Sequence, residues 1–337
     1  MVESARSRAA MAARTVPPRS SITARDNLLS TFKTPFSFAS TADDVVDGVD
    51  LSSRNIIVTG GSGGIGAETV RSLARAGATV TIAARNPDAA EAVAVRLRRE
   101  TGNDRILVSA LDLADLRSVG AFVEAWSGPI HALVNNAGIM ALPSLERTPE
   151  GCEMQFATNF LGHFALTLGL RAHLAAADGA RVVWVSSTGN LFAPVFWDDP
   201  HFLFIPYDPL LAYGQSKTAC VLAAVAMASR WASDGICANA LNPGAIATNL
   251  QRHTGGLKTP ELLRKSPQQG AATSVLLAAS PLVAQVSGRY FDDCNEGIVQ
   301  QQRPADAPRG VAPYSIDKGN AERLWTMAVK LIERHRD

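Results

Sequence analysis

The 337-residue chain is short of several features that commonly point to a function. Aromatic residues make up only 6%, which weakens any reading built on stacking against bases or sugar rings. Charge of one sign is lacking too: 32 Lys and Arg face 31 Asp and Glu, a formal net charge of +1. Nucleic acid and acidic membrane therefore lose their simplest electrostatic argument. The four cysteines, Cys152, Cys220, Cys237 and Cys294, are far apart and form no C-x-x-C pair. A chain of this size does not need disulfide staples, so they read as reduced, mostly buried, small apolar residues. The histidines show no H-E-x-x-H or paired-ligand spacing, and no metal site is expected. Apolar runs such as 164–170 and 219–228 stop short of the ~20 residues a membrane helix requires.

What is present is a sizeable apolar fraction, 47%, with 26 glycines and 18 prolines, the profile of a globular chain. Its length allows two domains or one large α/β unit. Residues 1–25 stand apart, with five arginines and a single acid, Glu3. That composition matches an organelle transit peptide, but the preferred reading is a disordered leader or a start assigned too far upstream, with Met11 as the true start; the expected location is cytoplasmic, with targeting as the alternative.

From Asn55 onward short β-branched runs alternate with longer helical patterns, as in a parallel sheet wrapped by helices. Strands are predicted at 56–59, 79–84, 106–111, 132–135, 181–186, 236–242 and 288–291. Helices are predicted between them, including one long helix from Gly151 to Ala177 and another from Ala212 to Ser233. The strands are apolar on both faces, as covered strands must be. No composition break divides residues 50–300. The expectation is a single doubly wound α/β domain of Rossmann type, about seven strands, over residues 51–300. An N-terminal extension covers 1–50, and a C-terminal extension covers 301–337 with an amphipathic helix from Asp317 to Glu333 carrying Leu324, Trp325, Ala328 and Leu331.

Between the first strand and its helix lies Thr59-Gly60-Gly61-Ser62-Gly63-Gly64-Ile65-Gly66. Glycines are needed where a backbone turns tightly, approaches a pyrophosphate and packs helix on strand, and the helix N-terminus offers its N–H groups to phosphates. The spacing is Gly-x-x-x-Gly-x-Gly. With Thr at its head it resembles the turn of the short-chain dehydrogenase/reductase family. The resemblance continues, in the family's order over about residues 50–300, through Asn135-Asn136-Ala137-Gly138, Asn159, Ser186-Ser187, Tyr213-Gly214-Gln215-Ser216-Lys217 and Asn242-Pro243-Gly244.

The chemistry of these residue types agrees with that resemblance. Interconverting a carbonyl and an alcohol needs hydride transfer and a proton moved at oxygen. A phenol can move that proton, yet it ordinarily ionises near ~10, and a neighbouring cation favours its phenolate. Lys217 lies one helical turn from Tyr213 on the same face. The resemblance implies Tyr213 as acid/base, Lys217 as its partner and ribose contact, Ser187 as the hydrogen bond to substrate oxygen, and Asn159 as anchor of a relay water. Ser187 is preferred to Ser186 because the family places the serine second, and strand alternation lets one of the two face the site. His163, four residues after Asn159, reads as a satisfied helix histidine and not as a base.

For cofactor contacts the resemblance implies Gly60, Ser62, Gly64, Ile65 and Gly66 at the phosphates, then Asp112 and Leu113 near the adenine. Asn136, Ala137, Gly138, Tyr213 and Lys217 follow along the cleft, with Pro243, Gly244, Ile246 and Thr248 at the nicotinamide end. NAD-selective folds place an acid about 20 residues past the glycines. Here the second strand ends in Ala84, followed by Arg85, which can pair with a 2′-phosphate. NADP(H) is therefore expected over NAD(H).

The 25 residues between Ser187 and Tyr213 form a longer and more aromatic segment than many family members carry. That insertion, Arg85-Asn86 and Ser287-Gly288-Arg289-Tyr290-Phe291 are similar to the retinol-dehydrogenase-like, WW-domain-oxidoreductase-like and protochlorophyllide-reductase-like branch. The insertion could wall an apolar substrate pocket or merely pack over the sheet. Residues 245–266 suit a lid. The leading expectation is an NADP-dependent oxidoreductase acting on a small, apolar carbonyl or alcohol. Reduction of a carbon–carbon double bond, or a non-catalytic dinucleotide-binding regulator, is the alternative. By analogy, helices near 160–170 and 219–228 pair subunits into a dimer or tetramer; no nucleic-acid partner is expected.

Overall fold

The computed structural model describes residues 31–305 and 309–334. The arginine-rich segment 1–25, and with it the choice between transit peptide and plain leader, lies outside the described residues. The first element is a short helix, α1 (Ala42–Val46), started by a capping box in which Thr41 and Asp44 satisfy each other's backbone N–H. Strand β1 (Asn55–Thr59) leads through the glycine turn into helix α2 (Gly64–Arg75). Then come β2 (Thr79–Ala84), α3 (Pro87–Thr101), β3 (Ile106–Ala110), α4 (Leu116–Ala125) and β4 (Ala132–Asn135). Asn86 caps α3 with Pro87 at its first position, and Gly102 closes it in the left-handed region, the usual start and stop signals.

The helix predicted as continuous over 151–177 is built in pieces. Helix α5 (Met154–Phe156) passes into a π-helical turn (Ala157–Leu161), then α6 (Gly162–Gly169) and α7 (Arg171–Ala175). Its spacing-of-four apolar series held, with Phe156, Phe160 and Phe164 fully buried and ring centroids 5.1 and 5.6 Å apart. The π turn was invisible in the sequence because one extra residue in a turn leaves that apolar series readable.

Strand β5 (Arg181–Val185) precedes the long helix α8 (Pro209–Arg230), capped by Asp208, whose Oδ1 accepts from Leu210 and Leu211 N–H at 2.8 Å. By length and composition α8 alone among the described residues could cross a membrane, but most of it is buried inside this fold, which makes it a core helix. Strands β6 (Cys237–Asn242), β7 (Ala245–Ile246) and β8 (Arg264–Lys265), helix α9 (Pro267–Ala279), and strands β9 (Tyr290–Asp292) and β10 (Asn295–Glu296) follow. Two helices end the chain, α10 (Pro313–Ile316) and α11 (Lys318–Glu333).

The main sheet has eight strands in the order β10-β9-β6-β5-β4-β1-β2-β3. Seven are parallel, and β10 is an added antiparallel edge strand of two residues, too short to show a period in sequence. Strands β7 and β8 form a separate parallel pair. Along β1, Ile57 enters one core and Ile56 and Val58 the other, the alternation of a doubly covered strand. The chain winds outward from β1 to β3, then returns to β4 on the other side of β1. That reversal is where parallel α/β sheets open a crevice at their carboxyl ends.

The described parts of both extensions pack on this framework, and from Phe32 onward the chain forms one compact unit. Phe32 exchanges main-chain and side-chain bonds with Glu296, and Thr34 and Phe36 bond to Cys294 and Asn295. Helix α1 then seats on α2 and α9 through Ala42, Val45 and Val46, with Asp43 paired to Arg71 at 2.8 Å. At the other end, α11 lies across α8. Trp325 meets Phe164 edge-on at 5.0 Å and Trp231 at 5.9 Å. This is the face on which subunit pairing was expected, so any pairing there must include or displace α11.

Candidate active site

The carboxyl ends of the strands open into one cavity of about 1370 Å³. That exceeds the ~300–1,000 Å³ of an ordinary small-molecule site, leaving room for a dinucleotide and a second molecule. Its floor follows the strand order: Asp112 after β3, Arg85 after β2, Gly60 after β1, Asn136 after β4, Ser187 after β5, Pro243 after β6 and Asp292 ending β9.

The glycine turn is held by a hub at Thr59. The Thr59 hydroxyl accepts from Asn136 N–H at 2.9 Å and Ala137 N–H at 3.0 Å, while Asn136 Nδ2 donates to the Thr59 carbonyl at 2.8 Å. Thus the motif after β4 locks the motif after β1. Gly66 shows why glycine is required: a Cβ there would stand 2.4 Å from the Gly60 carbonyl and 2.6 Å from Asn136 Nδ2. Gly60 and Gly64 have φ of +64° and +51°, and a Gly64 Cβ would meet Thr248 Cγ2 at 3.2 Å, so the turn also touches the segment after β7. This cradle, close-approaching backbone at a helix N-terminus, fits a pyrophosphate.

All the residues expected to contact cofactor line the cavity: the turn residues Gly60, Ser62, Gly64, Ile65 and Gly66, then Arg85, Asp112 and Leu113. So do Asn136, Ala137, Gly138, Tyr213, Lys217, Pro243, Gly244, Ile246 and Thr248. Arg85 is exposed at the end of β2, beside Ala84 where an acid would exclude a 2′-phosphate. Asn86 is occupied as the α3 cap, accepting from Ala89 N–H at 3.0 Å. Asp112 makes a local turn to Ala114 N–H at 2.9 Å as well as lining the site.

Of the four catalytic candidates, Ser187, Tyr213 and Lys217 line the cavity and Asn159 does not. Tyr213 and Lys217 project from the buried first half of α8, with Lys217 Nζ 5.7 Å from the Tyr213 ring centre and donating to the Val185 carbonyl at 2.9 Å. The ring packs on Gly189, where a Cβ would come within 2.9 Å of it. The two serines divide their tasks. Ser186 donates to the Lys217 carbonyl at 2.8 Å and anchors α8, whereas Ser187 opens the turn after β5, accepting from Gly189 N–H at 3.1 Å.

Asn159 sits in the π turn behind Lys217. Its Oδ1 accepts from Ile139 N–H at 2.8 Å, and its Nδ2 donates to the Ile139 carbonyl at 3.0 Å and to Ser216 at 2.9 Å. It therefore ties the loop after β4 to α8. A Cβ on Gly138 would lie 3.3 Å from Asn159 Oδ1 and 3.5 Å from Lys217 Nζ. The Asn159 carbonyl accepts from His163 Nδ1 at 3.0 Å and from the Cys220 thiol at 3.3 Å.

His163 is fully buried, and its Nε2 accepts from Thr59 at 2.8 Å. These partners fix the tautomer, with Nδ1 carrying the proton, and burial pushes its pKa down to about 3. It is a neutral link from the glycine turn to the π turn, a connection with no sequence signal beyond its spacing from Asn159. Burial pushes the thiols of Cys152, Cys220 and Cys294 up to about 11, in keeping with small core residues. Among the described residues no cluster of His, Cys, Asp or Glu could hold a metal.

Residues 54–256 match the family model for short chain dehydrogenase, more than half of the chain. The chain belongs to the short-chain dehydrogenase/reductase family. It is 52% identical over 291 residues to a "Probable oxidoreductase" of Streptomyces antibioticus, covering 82% of this chain and 97% of that one. It is 35% identical over 295 residues to mouse (Mus musculus) retinol dehydrogenase 13, covering 84% of each, which places it in the retinol-dehydrogenase-like branch. Among solved structures it resembles the Pseudomonas aeruginosa RhlG/NADP active-site complex, with a TM-score of 0.58, 25% identity, and coverage of 72% and 95%. As a member of this family the protein is an oxidoreductase with a small-molecule substrate.

Several lining residues of this short-chain dehydrogenase/reductase were missed in sequence. Phe38, Lys265, Asp293 and Arg309 close the cavity at the β9 end. The insertion, whose sequence had left open a place at the pocket wall, reaches that wall through Phe192, Pro209 and Leu210. The insertion also packs, with Phe202 buried between Phe196 and Tyr207. Its tip is held by Asp199, whose carboxylate accepts from the N–H groups of Leu203, Phe204 and Ile205 at 2.7, 2.9 and 2.8 Å.

Proposed function

We propose that this enzyme interconverts a carbonyl and an alcohol and prefers NADP(H) to NAD(H). The observation that carries the reading is the convergence of Tyr213, Lys217 and Ser187 on one cavity that also holds the glycine cradle and, at the end of the neighbouring strand, Arg85. When bound, the dinucleotide supplies the hydride. In the reducing direction the Tyr213 hydroxyl donates its proton to the substrate oxygen, which also accepts from Ser187. The Lys217 ammonium stands beside the Tyr213 ring, 5.7 Å from its centre, next to the charge left behind. In the oxidising direction the same groups act in reverse.

Asn159 supports this reading as an organiser: it holds the loop after β4 against α8 and so sets the position of Lys217. The lack of an acid at Ala84 and the exposed Arg85 support NADP(H), in line with the NADP complex of the RhlG relative. The pocket side formed by Phe192, Leu210, Leu257 and Leu263 supports an apolar substrate.

The test is NADPH consumption over a panel of ketones, aldehydes, quinones and enones, with products identified, for wild type and Tyr213→Phe. Ketone or aldehyde reduction abolished by the substitution is expected. Undiminished turnover by a folded, NADPH-binding Tyr213→Phe would overturn the role of Tyr213. An enone product saturated at carbon–carbon would transfer the reading to double-bond reduction.

A further inference from the structure

Next to the bend at Pro243-Gly244, the cavity wall depends on a lysine that belongs to no recognised motif. The Lys265 main chain pairs with Ile246 in the β7–β8 ladder. Its stem lies against Gly244, where a Cβ would stand 3.0 Å from Lys265 Cδ. Its side chain is 1% exposed, and its ammonium sits 2.6 Å from Asp293 Oδ1. Asp293 occupies the tight turn after β9 with φ of +49°. Phe38, delivered by the N-terminal arm, places its ring centre 5.2 Å from Lys265 Nζ. One side chain thus joins the β6–β7 bend, the β9–β10 turn and the arm.

A buried ion pair adds little stability compared with two apolar residues, but it defines registry between the pieces it joins. Here the piece being registered is the short turn of Gly244 to Ile246. We propose that Lys265 is a positioning residue for the nicotinamide half of the dinucleotide, fixing the Gly244–Ile246 turn while Asp293 and the arm's Phe38 hold its ammonium. This rests on the dinucleotide reading given above. The N-terminal arm thereby becomes part of the binding site, although the cofactor motifs begin at Thr59. The adenine end, at Arg85 and Asp112, lies at the opposite side of the sheet order and is not touched by this clamp.

The full-length protein is titrated with NADPH, followed by nicotinamide fluorescence, and by calorimetry with adenosine 2′,5′-bisphosphate, a fragment without the nicotinamide half. The variants are Lys265→Met, the charge-neutral double Lys265→Met/Asp293→Asn, Lys265→Arg and Phe38→Ala. Asp43→Asn breaks the α1–α2 ion pair, whose residues do not line the cavity. Lys265→Met and the double variant are expected to lose NADPH affinity by about tenfold. Their affinity for the fragment stays within about twofold. Lys265→Arg recovers most of the loss, Phe38→Ala falls between, and Asp43→Asn lowers Tm with both affinities unchanged. Equal weakening of NADPH and fragment in the double variant, or unchanged NADPH affinity, would overturn the proposal. Wild-type protein that binds neither ligand would overturn the dinucleotide reading, and this inference with it.

Discussion

The two ends of the cavity are made of different material. At the end spanning β1, β2 and β4 the wall is largely main chain: a glycine turn, a helix N-terminus, and one hydroxyl, Thr59, binding two motifs together. At the end spanning β6 and β9 it is made of side chains from widely separated segments, with Phe38, Lys265, Asp293 and Arg309 meeting around one ion-pair cluster. A main-chain wall accepts little variation at glycines such as Gly60 and Gly66 and suits a group common to all dinucleotides. A side-chain wall can change residue by residue, and it is there that members of one family can diverge in what they accept.

Four substitutions sharpen that contrast, in order of expected effect. Tyr213→Phe, at the junction of the two ends, should lower kcat by about 10²–10⁴-fold, with NADPH binding retained in the same titration. Gly66→Ala strikes the main-chain end, where the new Cβ would meet a backbone carbonyl at 2.4 Å. It should cost about 1–3 kcal/mol of stability and lower NADPH affinity along with Tm, read by thermal melts with and without cofactor. Arg85→Ala should reduce kcat/KM with NADPH by about tenfold, as for loss of one charge-assisted hydrogen bond. Its kcat/KM with NADH should be unchanged; an equal loss with both would mean that Arg85 does not read the 2′-phosphate.

The smallest effect at neutral pH concerns Glu153. Its carboxylate is buried and accepts from Gln155 and Phe156 N–H at 2.9 and 2.7 Å, yet burial pushes its pKa up to about 7. The folded state therefore binds more protons than the unfolded chain between about pH 4.5 and 7, and stability falls as pH rises through that window. His163, buried as the neutral base, acts in the opposite sense: its share of stability is lost as pH falls from about 6.5 toward 3. Glu153→Gln should remove the first slope from a Tm-versus-pH profile and leave the second. A profile unaltered by the substitution would show that Glu153 titrates at its ordinary value.

How much was legible in the sequence follows the same division. The glycines, Asn136, Ser187, Tyr213 and Lys217 stood out because backbone approach and one-turn spacing are local requirements that fix residue type at short intervals. The seven parallel strands were equally legible from their apolar runs. Phe38 and Lys265 were not, because they meet across more than two hundred residues and neither is of an unusual type for a loop. The π turn around Asn159 and the hydrogen bonds that keep this side chain behind Lys217 were hidden for another reason. A single added residue in a helical turn changes hydrogen bonding without disturbing the apolar pattern.

The arm also has a consequence in time. Its first described anchor joins Phe32 to Glu296 across 264 residues. A ribosome adds ~5–20 residues each second, so the arm leaves the tunnel roughly 10–50 s before its partner strand exists. During that interval Phe32, Phe36 and Phe38 have no native surface to cover. This arm is thus made well before it can reach its place, and the cavity wall it completes closes only after β10 has been made.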